Sequence, residues 1–476
     1  MRCTYMQDSN NEHWQVYPRL RNIKRSQYTT VECATYRNDL KRRVAFKKEM
    51  DGIRNHVYET IWRNDLEGIK EVQETKETKE TKSNNESDTP TQMNTEDILD
   101  RLIAFDTVSR NSNMALMHYV QTLLGEAGIK ATLIPNAEGT KANLLASIGP
   151  TDSGGILLSG HTDVVPIEGQ AWSKPAFKLT RSDGKYFGRG TTDMKGFVAC
   201  AIAAALKAKR RPLKAPLHLA FSYDEEIGCQ GVRSMIDLMH HAPMRPTMCI
   251  VGEPTNLAVA TGHKGKLAIK ARCIGREGHS ALAPLALNAL HLGCDLVAAL
   301  RDIQADLKQN FAYDDDYDVP YTTVHTARIT GGVALNIVPN LCEIDFEIRN
   351  IAEDDPAQIL AMIKARADQI VAAAKPQADE AAITFETSFS YPGLNTARSS
   401  EVVRFVKSLT GANHTNKVAF GTEGGLFSSR LDIPTVVCGP SSMMQGHKPD
   451  EYVEVAQIQR CDAMLTRLVD RLCDGL

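Results

Sequence analysis

The chain has 476 residues, of which 42% are hydrophobic and 24% are charged, and its formal net charge is −3 at pH 7. This composition supplies a large core and excludes a wholly disordered chain, a collagen and a small disulfide-rich knot. The near-neutral charge gives no reason to expect a nucleic-acid partner or a membrane partner for the folded part. The longest apolar run, 197–206, is too short to span a membrane.

Cysteine use and the N-terminal residues indicate the compartment. The eleven cysteines are an odd number and include no Cys-x-x-Cys pair, which is typical of reduced thiols in a cytosolic protein. No apolar segment follows the basic residue near Met1, as a secretory signal would require. We therefore expect a cytoplasmic protein without a disulfide framework or a cysteine zinc site.

Residues 1–92 differ in composition from the remainder. They contain clusters of Lys and Arg and end in a Glu-Thr-Lys repeat at 74–82. Such a segment is typical of a solvated, mostly disordered extension, while the basic clusters leave open an arm that binds nucleic acid or a partner. A third hypothesis is an extension from an early assigned start codon, because the internal Met93 begins a well-patterned helix.

From Met93 onward, strands and helices alternate. Thr95 is expected to cap a helix with an apolar stripe at 98–103, a second helix covers about 117–124, and an Ala-rich helix covers about 194–209. The predicted strands are short and apolar, at 143–148, 156–158, 217–223 and 248–251. This alternation predicts an α/β fold with a mostly parallel sheet covered by helices.

The order of elements changes in residues 265–387. Strands are predicted at 266–274, 322–330, 342–348 and 383–389, with helices at about 284–308 and 356–374. This order predicts an α+β sandwich inserted into the first domain. The first pattern then resumes with a strand at 434–438 and a closing helix. The predicted catalytic domain is therefore formed by 93–264 and 388–476, with 265–387 inserted and 1–92 as an extension.

Acidic and histidine side chains stand where the apolar strands end. They are His161, Asp163, Asp193, Glu225, Glu226, Glu253 and, as a further candidate, His447. Taken alone, His161 is more often a structural histidine, Glu225 and Glu226 more often belong to a solvated turn, and His447 is more often a histidine of a surface loop. Together they meet at the carboxyl edge of the predicted sheet, where open α/β sheets bind ligands. Burying so many like charges without a cation is costly.

This set of side chains suits metal-assisted hydrolysis. Carboxylates and imidazoles without cysteine favour Zn²⁺, with Co²⁺ or Mn²⁺ as alternatives. Two neighbouring ions would share a carboxylate and acidify a water molecule. A separate carboxylate would then take the proton of that water and return it to the leaving amine.

Eight motifs resemble, in this order, those of the dizinc aminoacylase and carboxypeptidase family. They are Ser159–Pro166, Gly188–Gly196, Asp224–Gly228, Gly252–Thr255, Gly278–Ser280, Asn336–Pro339, Phe420–Phe427 and Gln445–Tyr452. The resemblance runs from about Met93 to the C-terminus and leaves out 1–92. It implies a dizinc exopeptidase-like fold and a zinc-dependent amide hydrolase. The implied reaction removes a small acyl group, with acetyl favoured, from the α-nitrogen of a basic amino acid.

The resemblance also implies the metal ligands. His161 and Glu253 would bind one zinc ion, Glu226 and His447 the other, and Asp193 would bridge both. Glu225 would be the general base and acid, and Asp163 would orient the imidazole of His161. A cis peptide is implied between Asp193 and Met194.

Further implied roles concern the substrate and a second copy of the chain. The inserted domain would form a homodimer, and His279 would reach the active site of the other copy and donate a hydrogen bond to the oxyanion. Arg349, assisted by Asn336, would bind the α-carboxylate of the N-acyl amino acid substrate. Glu423 is a candidate for the side-chain ammonium of the substrate, although a tight turn explains its Gly-rich surroundings equally well.

Two other functions stay open. A related activity on N-succinyl-diaminopimelate, on other N-acyl amino acids or on dipeptides would use the same metal chemistry. A metal-free paralogue would instead serve as a binding or scaffold protein, and the intact Glu225 together with all the ligand types argues against it.

Overall fold

The computed structural model describes residues 4–6, 15–17, 93–242 and 245–476. The chain divides into two units, Met1–Thr91 and Gln92–Leu476. In the first unit, strand β1 (Thr4–Met6) pairs antiparallel with β2 (Gln15–Tyr17). The three hypotheses about residues 1–92 concern a segment that, apart from these two strands, lies outside the described residues.

The second unit begins with alternating helices and strands. In chain order they are α1 (Thr95–Ile103), α2 (Met114–Glu126), β3 (Ala131–Pro135), β4 (Ala142–Ile148), β5 (Ile156–His161), β6 (Thr180–Ser182), β7 (Lys185–Phe187), α3 (Lys195–Ala208), β8 (Leu217–Ser222), α4 (Val232–His240), β9 (Met248–Pro254) and β10 (Val259–His263). Helix α1 is capped by Asn94, whose side chain accepts from the Asp97 N–H at 3.0 Å. The expected cap, Thr95, instead donates its hydroxyl to Asp462 at 2.8 Å.

The middle of this unit has the predicted strand and helix order. Its elements are β11 (Lys266–Ile274), β12 (Gly278–His279), α5 (Ala289–Asn310), β13 (Thr323–Gly331), β14 (Ile337–Val338), β15 (Leu341–Arg349), α6 (Pro356–Ala374) and β16 (Ala382–Tyr391). Helix α5 begins at Ala289 rather than near 284, because Ser280–Leu285 forms a 3₁₀ turn that contains Pro284. Asn288 caps the helix through the N–H of Leu290.

The last elements return to the first pattern. They are β17 (Leu394–Asn395), α7 (Glu401–Thr410), β18 (Thr415–Val418), α8 (Gly424–Leu431), β19 (Thr435–Gly439), β20 (Tyr452–Glu454) and α9 (Val455–Asp474). Among the residues that the structure describes, no helix combines the length and the apolar character needed to cross a bilayer.

The large sheet has the strand order β17-β10-β19-β9-β5-β8-β4-β3, with β18 beside β10. Its central strands β8, β5, β9 and β19 are parallel, because helices α3 and α4 return the chain to the same edge between successive strands. Strands β3 and β4 extend one side of this centre in antiparallel pairs, and β10 pairs antiparallel with β19 and β17. The predicted α/β fold is confirmed.

Helices cover both faces of the large sheet. One hydrophobic core joins it to α1, α2, α3, α7 and α9, and a second core on the other face joins it to α4 and α8. Strands β13-β15-β11-β16 form a separate antiparallel sheet, which packs on α5 and α6 around a core of its own.

The separate cores fit an inserted domain, and the boundaries 93–264, 265–387 and 388–476 remain a prediction.

Candidate active site

The polar residues reach one edge of the large sheet because its central strands run in the same direction. His161 is the last residue of β5, Glu253 lies near the end of β9, and Glu225 follows β8 by three residues. Asp193 lies two residues before the start of α3, and His447 lies in the loop between β19 and β20. The peptide between Asp193 and Met194 is cis, as the resemblance implies.

His161, Asp193 and Glu253 form the first ligand group. The Nε2 atom of His161 lies 3.0 Å from Oδ1 of Asp193 and 3.4 Å from Oε1 of Glu253. All three side chains are buried, and one ligand atom from each lies within 4.8 Å of the others. This spacing lets three donors face a single cation.

Asp193, Glu226 and His447 form the second ligand group. The Nε2 atom of His447 lies 3.0 Å from Oδ2 of Asp193 and 3.2 Å from Oε2 of Glu226. The two carboxylate oxygens of Asp193 therefore face different groups. Asp193 has the position of a bridge between two cations.

The buried carboxylates of the two ligand groups would be stabilised by nearby positive charge. Burial raises the pKa of Glu253 to about 8 and that of Glu226 to about 7, and the charge of Asp193 adds to both shifts. Hydrogen bonds to Asp193 and Glu226 raise the pKa of His447 to about 11. Among the described residues, the buried Oε1 of Glu226 and Oε2 of Glu253 have no hydrogen-bond partner. This donor set and its unpartnered oxygens fit a pair of divalent cations.

Asp163 lies behind the first ligand group and contacts both the imidazole of His161 and the loop of Glu225 and Glu226. Its carboxylate accepts from the N–H groups of Glu225 and Glu226 at 3.1 and 3.3 Å and from the Ser109 hydroxyl at 2.7 Å. The Nδ1 atom of His161 lies 2.9 Å from the carbonyl oxygen of Asp163 and 3.5 Å from its carboxylate. Asp163 therefore links the imidazole to the loop that carries both glutamates.

Glu225 stands next to both ligand groups without belonging to either. Burial raises the pKa of its carboxyl well above the ordinary value. The thiol of Cys229 donates to its Oε1 atom at 3.4 Å. A buried carboxyl group in this position has the chemistry of a general base and acid.

A cavity of about 460 Å³ opens in front of these groups. Strand β9 of the large sheet and the loops at its edge contribute Asp193, Glu225, Glu226, Glu253 and His447 to the wall, and the smaller sheet contributes Lys266, Arg349, Phe389 and Tyr391. Arg349 is oriented by Glu347, which accepts from Nε at 2.9 Å, and by the hydroxyl of Tyr391, 3.1 Å from Nη1. Sequence reasoning missed Lys266, Phe389 and Tyr391, since no motif marks them.

Three predicted site residues lie elsewhere. The wall of this cavity, as far as the described residues form it, includes none of His279, Asn336 and Glu423. His279 is exposed in β12, and Asn336 is exposed just before β14. Glu423 is buried at the start of α8, where the Ser159 hydroxyl donates to its carboxylate at 3.3 Å. Burial raises the pKa of Glu423 to about 7, so this placement gives no support to a contact with the substrate's ammonium.

The chain is similar to a known protein family and to two bacterial enzymes. The profile of Peptidase family M20/M25/M40 matches residues 157–471. An acetylornithine deacetylase of Myxococcus xanthus is 34% identical over 386 residues, which are 79% of this chain and 97% of that protein. An acetylornithine deacetylase of Pasteurella multocida (strain Pm70) is 33% identical over 385 residues, with the same 79% and 97% coverage.

A solved structure shows the same fold. An M20 family metallo-carboxypeptidase from Sulfolobus solfataricus superimposes with a TM-score of 0.64 at 17% identity, over 79% of this chain and 98% of the other. The profile match lies within the second unit, and the two bacterial relatives each align with 79% of the chain. The chain belongs to Peptidase family M20/M25/M40.

Proposed function

We propose that this protein is a zinc-dependent amide hydrolase that removes the acetyl group from N2-acetylornithine, a reaction of arginine biosynthesis. The observation that carries the proposal is the pair of ligand groups that share Asp193 directly beside Glu225. The choice of substrate is supported by the 34% identity to an acetylornithine deacetylase over 97% of its length.

The metal ligands in this proposal are the two groups described above. His161 and Glu253 would hold one ion, Glu226 and His447 would hold the other, and Asp193 would be shared by both. Two imidazoles and three carboxylates suit Zn²⁺ best, and Co²⁺ or Mn²⁺ are alternatives. When bound, such ions polarise the acyl carbonyl and acidify a water molecule.

Glu225 moves the proton. One oxygen of its carboxylate accepts the proton of the attacking water, while the Cys229 thiol and the backbone contact to Asp163 hold the group in place. The oxygen of that water bonds to the acyl carbon, and the bond between this carbon and the amide nitrogen breaks. Glu225 then gives its proton to the departing amine, so that acetate and the free amino acid leave.

Arg349 binds the α-carboxylate of the substrate. Its guanidinium lines the cavity, and Glu347 and Tyr391 occupy Nε and Nη1. We expect Arg349→Met to lower kcat/KM about 10- to 100-fold, mostly through KM, because a charge-assisted hydrogen bond contributes about 1.5–3 kcal/mol. Steady-state kinetics on N2-acetylornithine measure this. Arg366→Met is the control, since Arg366 pairs with Asp302 on the exposed side of the inserted region. An unchanged KM in Arg349→Met would remove Arg349 from the binding site.

A homodimer and a cytoplasmic location complete the proposal. Support for the dimer comes from large apolar side chains near β12 and β14, where Val333 is 85% exposed and Leu335 is 100% exposed. In that dimer His279 donates to the oxyanion in the active site of the other copy, and Asn336 assists in binding the substrate. Free thiols at every cysteine in the described part of the chain support the reducing cytoplasm.

One observation favours a second candidate substrate. Lys266 is a further cation in the cavity wall beside Arg349. Two cations suit a substrate with two carboxylates, such as N-succinyl-diaminopimelate. However, the Lys266 ammonium already lies 2.8 Å from a carboxylate oxygen of Glu347, and this contact weakens its pull on a second carboxylate.

Activity and metal content test the proposed function together. We expect a higher kcat/KM on N2-acetylornithine than on N-succinyl-diaminopimelate, and we expect chelation to abolish turnover because no residue replaces the ions as Lewis acids. Elemental analysis gives the ions per chain before and after chelation, and re-addition of Zn²⁺ or Co²⁺ is the control. A higher kcat/KM on N-succinyl-diaminopimelate would replace N2-acetylornithine as the proposed substrate. Full activity in metal-free protein would refute the hydrolase mechanism proposed above.

A further inference from the structure

A buried ion pair lies just behind the second ligand group. The Nη1 atom of Arg189 is 2.6 Å from Oε2 of Glu451, and their side chains are only 1% and 0% exposed. The desolvation of two buried charges commonly cancels most of the energy that such a pair gains. Its stabilising effect is therefore a weak explanation for its presence here. We call this pair, together with Gln170, the Arg189 clamp.

One end of the Arg189 clamp holds the backbone of the bridging residue. The Oε1 atom of Glu451 accepts from the N–H of Thr192 at 2.9 Å and from the N–H of Asp193 at 3.1 Å. The other oxygen of the same carboxylate is occupied by Arg189. The position of the Asp193 main chain therefore depends on the orientation of Glu451, which Arg189 sets.

The other end of the clamp holds the loop of His447. Nη2 of Arg189 donates to Oε1 of Gln170 at 2.6 Å, and Nε2 of Gln170 donates to the carbonyl oxygen of His447 at 2.9 Å. The backbone of His447 has φ = +59°, a left-handed conformation that is unfavourable for a residue with a β-carbon. The contact from Gln170 helps to keep His447 in that conformation.

The two ligand groups differ in what supports them. In the first group, His161 and Glu253 lie within β5 and β9, where pairing of β5 with β8 and of β9 with β19 holds the main chain. In the second group, Glu226 and His447 lie in loops. Arg189 joins the Glu451 carboxylate, which accepts from the Asp193 N–H, to the main chain at His447 through Gln170.

We infer that the Arg189 clamp sets the affinity of the second ligand group for its ion and leaves the affinity of the first group largely unchanged. Arg189, Glu451 and Gln170 are then positioning residues, because none of them is a ligand. The inference rests on the proposed function, since it requires that both groups bind metal ions.

The test measures two dissociation constants on the folded protein. Metal-free wild type, Arg189→Met, Arg189→Lys and Gln170→Met are titrated with Zn²⁺ against a chromophoric chelator, and the melting temperature of each is recorded. For Arg189→Met we expect the dissociation constant of the second ligand group, identified as the one lost in His447→Ala, to rise about 10- to 100-fold, the range found when partners of metal ligands are removed. The constant of the first group should stay within about twofold. Gln170→Met should shift the same constant by less, and Arg189→Lys should recover part of the loss.

A control separates positioning from a general loss of stability. Leu468 is buried in the core on α9, so Leu468→Ala should lower the melting temperature and leave the ratio of the two constants unchanged. If Arg189→Met does not fold, Gln170→Met decides, because it keeps the ion pair with Glu451. Equal shifts of both constants, or no shift, would overturn the inference. A wild type that binds no pair of ions would instead refute the proposed function.

Discussion

Replacing Glu225 by glutamine is expected to lower kcat about 10³-fold or more while both ions stay bound, because general acid–base catalysis contributes about 10²- to 10⁴-fold. The amide has the shape of the carboxylate but cannot take the proton of the attacking water. Glu225 is not a member of either ligand group, so its removal leaves all the metal donors in place. Steady-state kinetics and elemental analysis on the same preparation measure the two effects.

Asp224 offers a matched control in the same loop. Its carboxylate pairs with Lys141 at 2.5 Å, and it is absent from the described wall of the cavity. Its φ of +56° is one that asparagine tolerates well. Asp224→Asn removes the same charge and should retain most of the activity. A Glu225→Gln variant as active as Asp224→Asn would eliminate Glu225 as the proton carrier.

Replacing Asp193 by alanine should have the largest effect on metal binding. Each of its two carboxylate oxygens faces a different ligand group. Its loss therefore removes one metal donor from each group. We expect less than one tightly held ion per chain and a fall in kcat/KM of about 10³-fold or more, because bound ions supply several kcal/mol of transition-state stabilisation. Elemental analysis after dialysis measures the ion content.

His447→Ala distinguishes the bridge from a ligand of a single ion. His447 contacts only the second ligand group, so this variant should keep one ion, held by His161, Asp193 and Glu253. Two ions retained in Asp193→Ala would show that Asp193 does not bridge. Equal losses in the two variants would mean that the groups do not bind independently.

Local patterns predicted nine of the strands and six of the helices that the structure describes. The Ala-rich helix expected at 194–209 is Lys195–Ala208, and the strand expected at 266–274 is Lys266–Ile274. Both depend on neighbours within a few residues, since helical and strand periodicity are local. The start of α5 was missed because Pro284 forms a 3₁₀ turn first. Strand β4 was predicted at 143–148, whereas β10 and β17 were missed because they pair with each other across the whole inserted region.

The candidate site, too, could be predicted from the sequence only in part. The residue types at the strand ends, and the family motifs that contain them, were readable along the chain, and they indicated metal-assisted hydrolysis before any geometry was known. Which carboxylate faces which imidazole was not readable from residue type alone. The separation of the two ligand groups depends on Asp193 turning one oxygen to His161 and the other to His447.

By itself, the sequence determined the order of the elements, the family motifs and the chemical character of the site, because these depend on residue identity and local spacing. Only the tertiary structure decided that Glu423 is buried against Ser159, that Arg349 and Tyr391 form the far wall of the cavity, and that Arg189 joins the loops of Asp193 and His447. These contacts arise from long-range packing, in which residues up to hundreds of positions apart become neighbours and no local periodicity marks them.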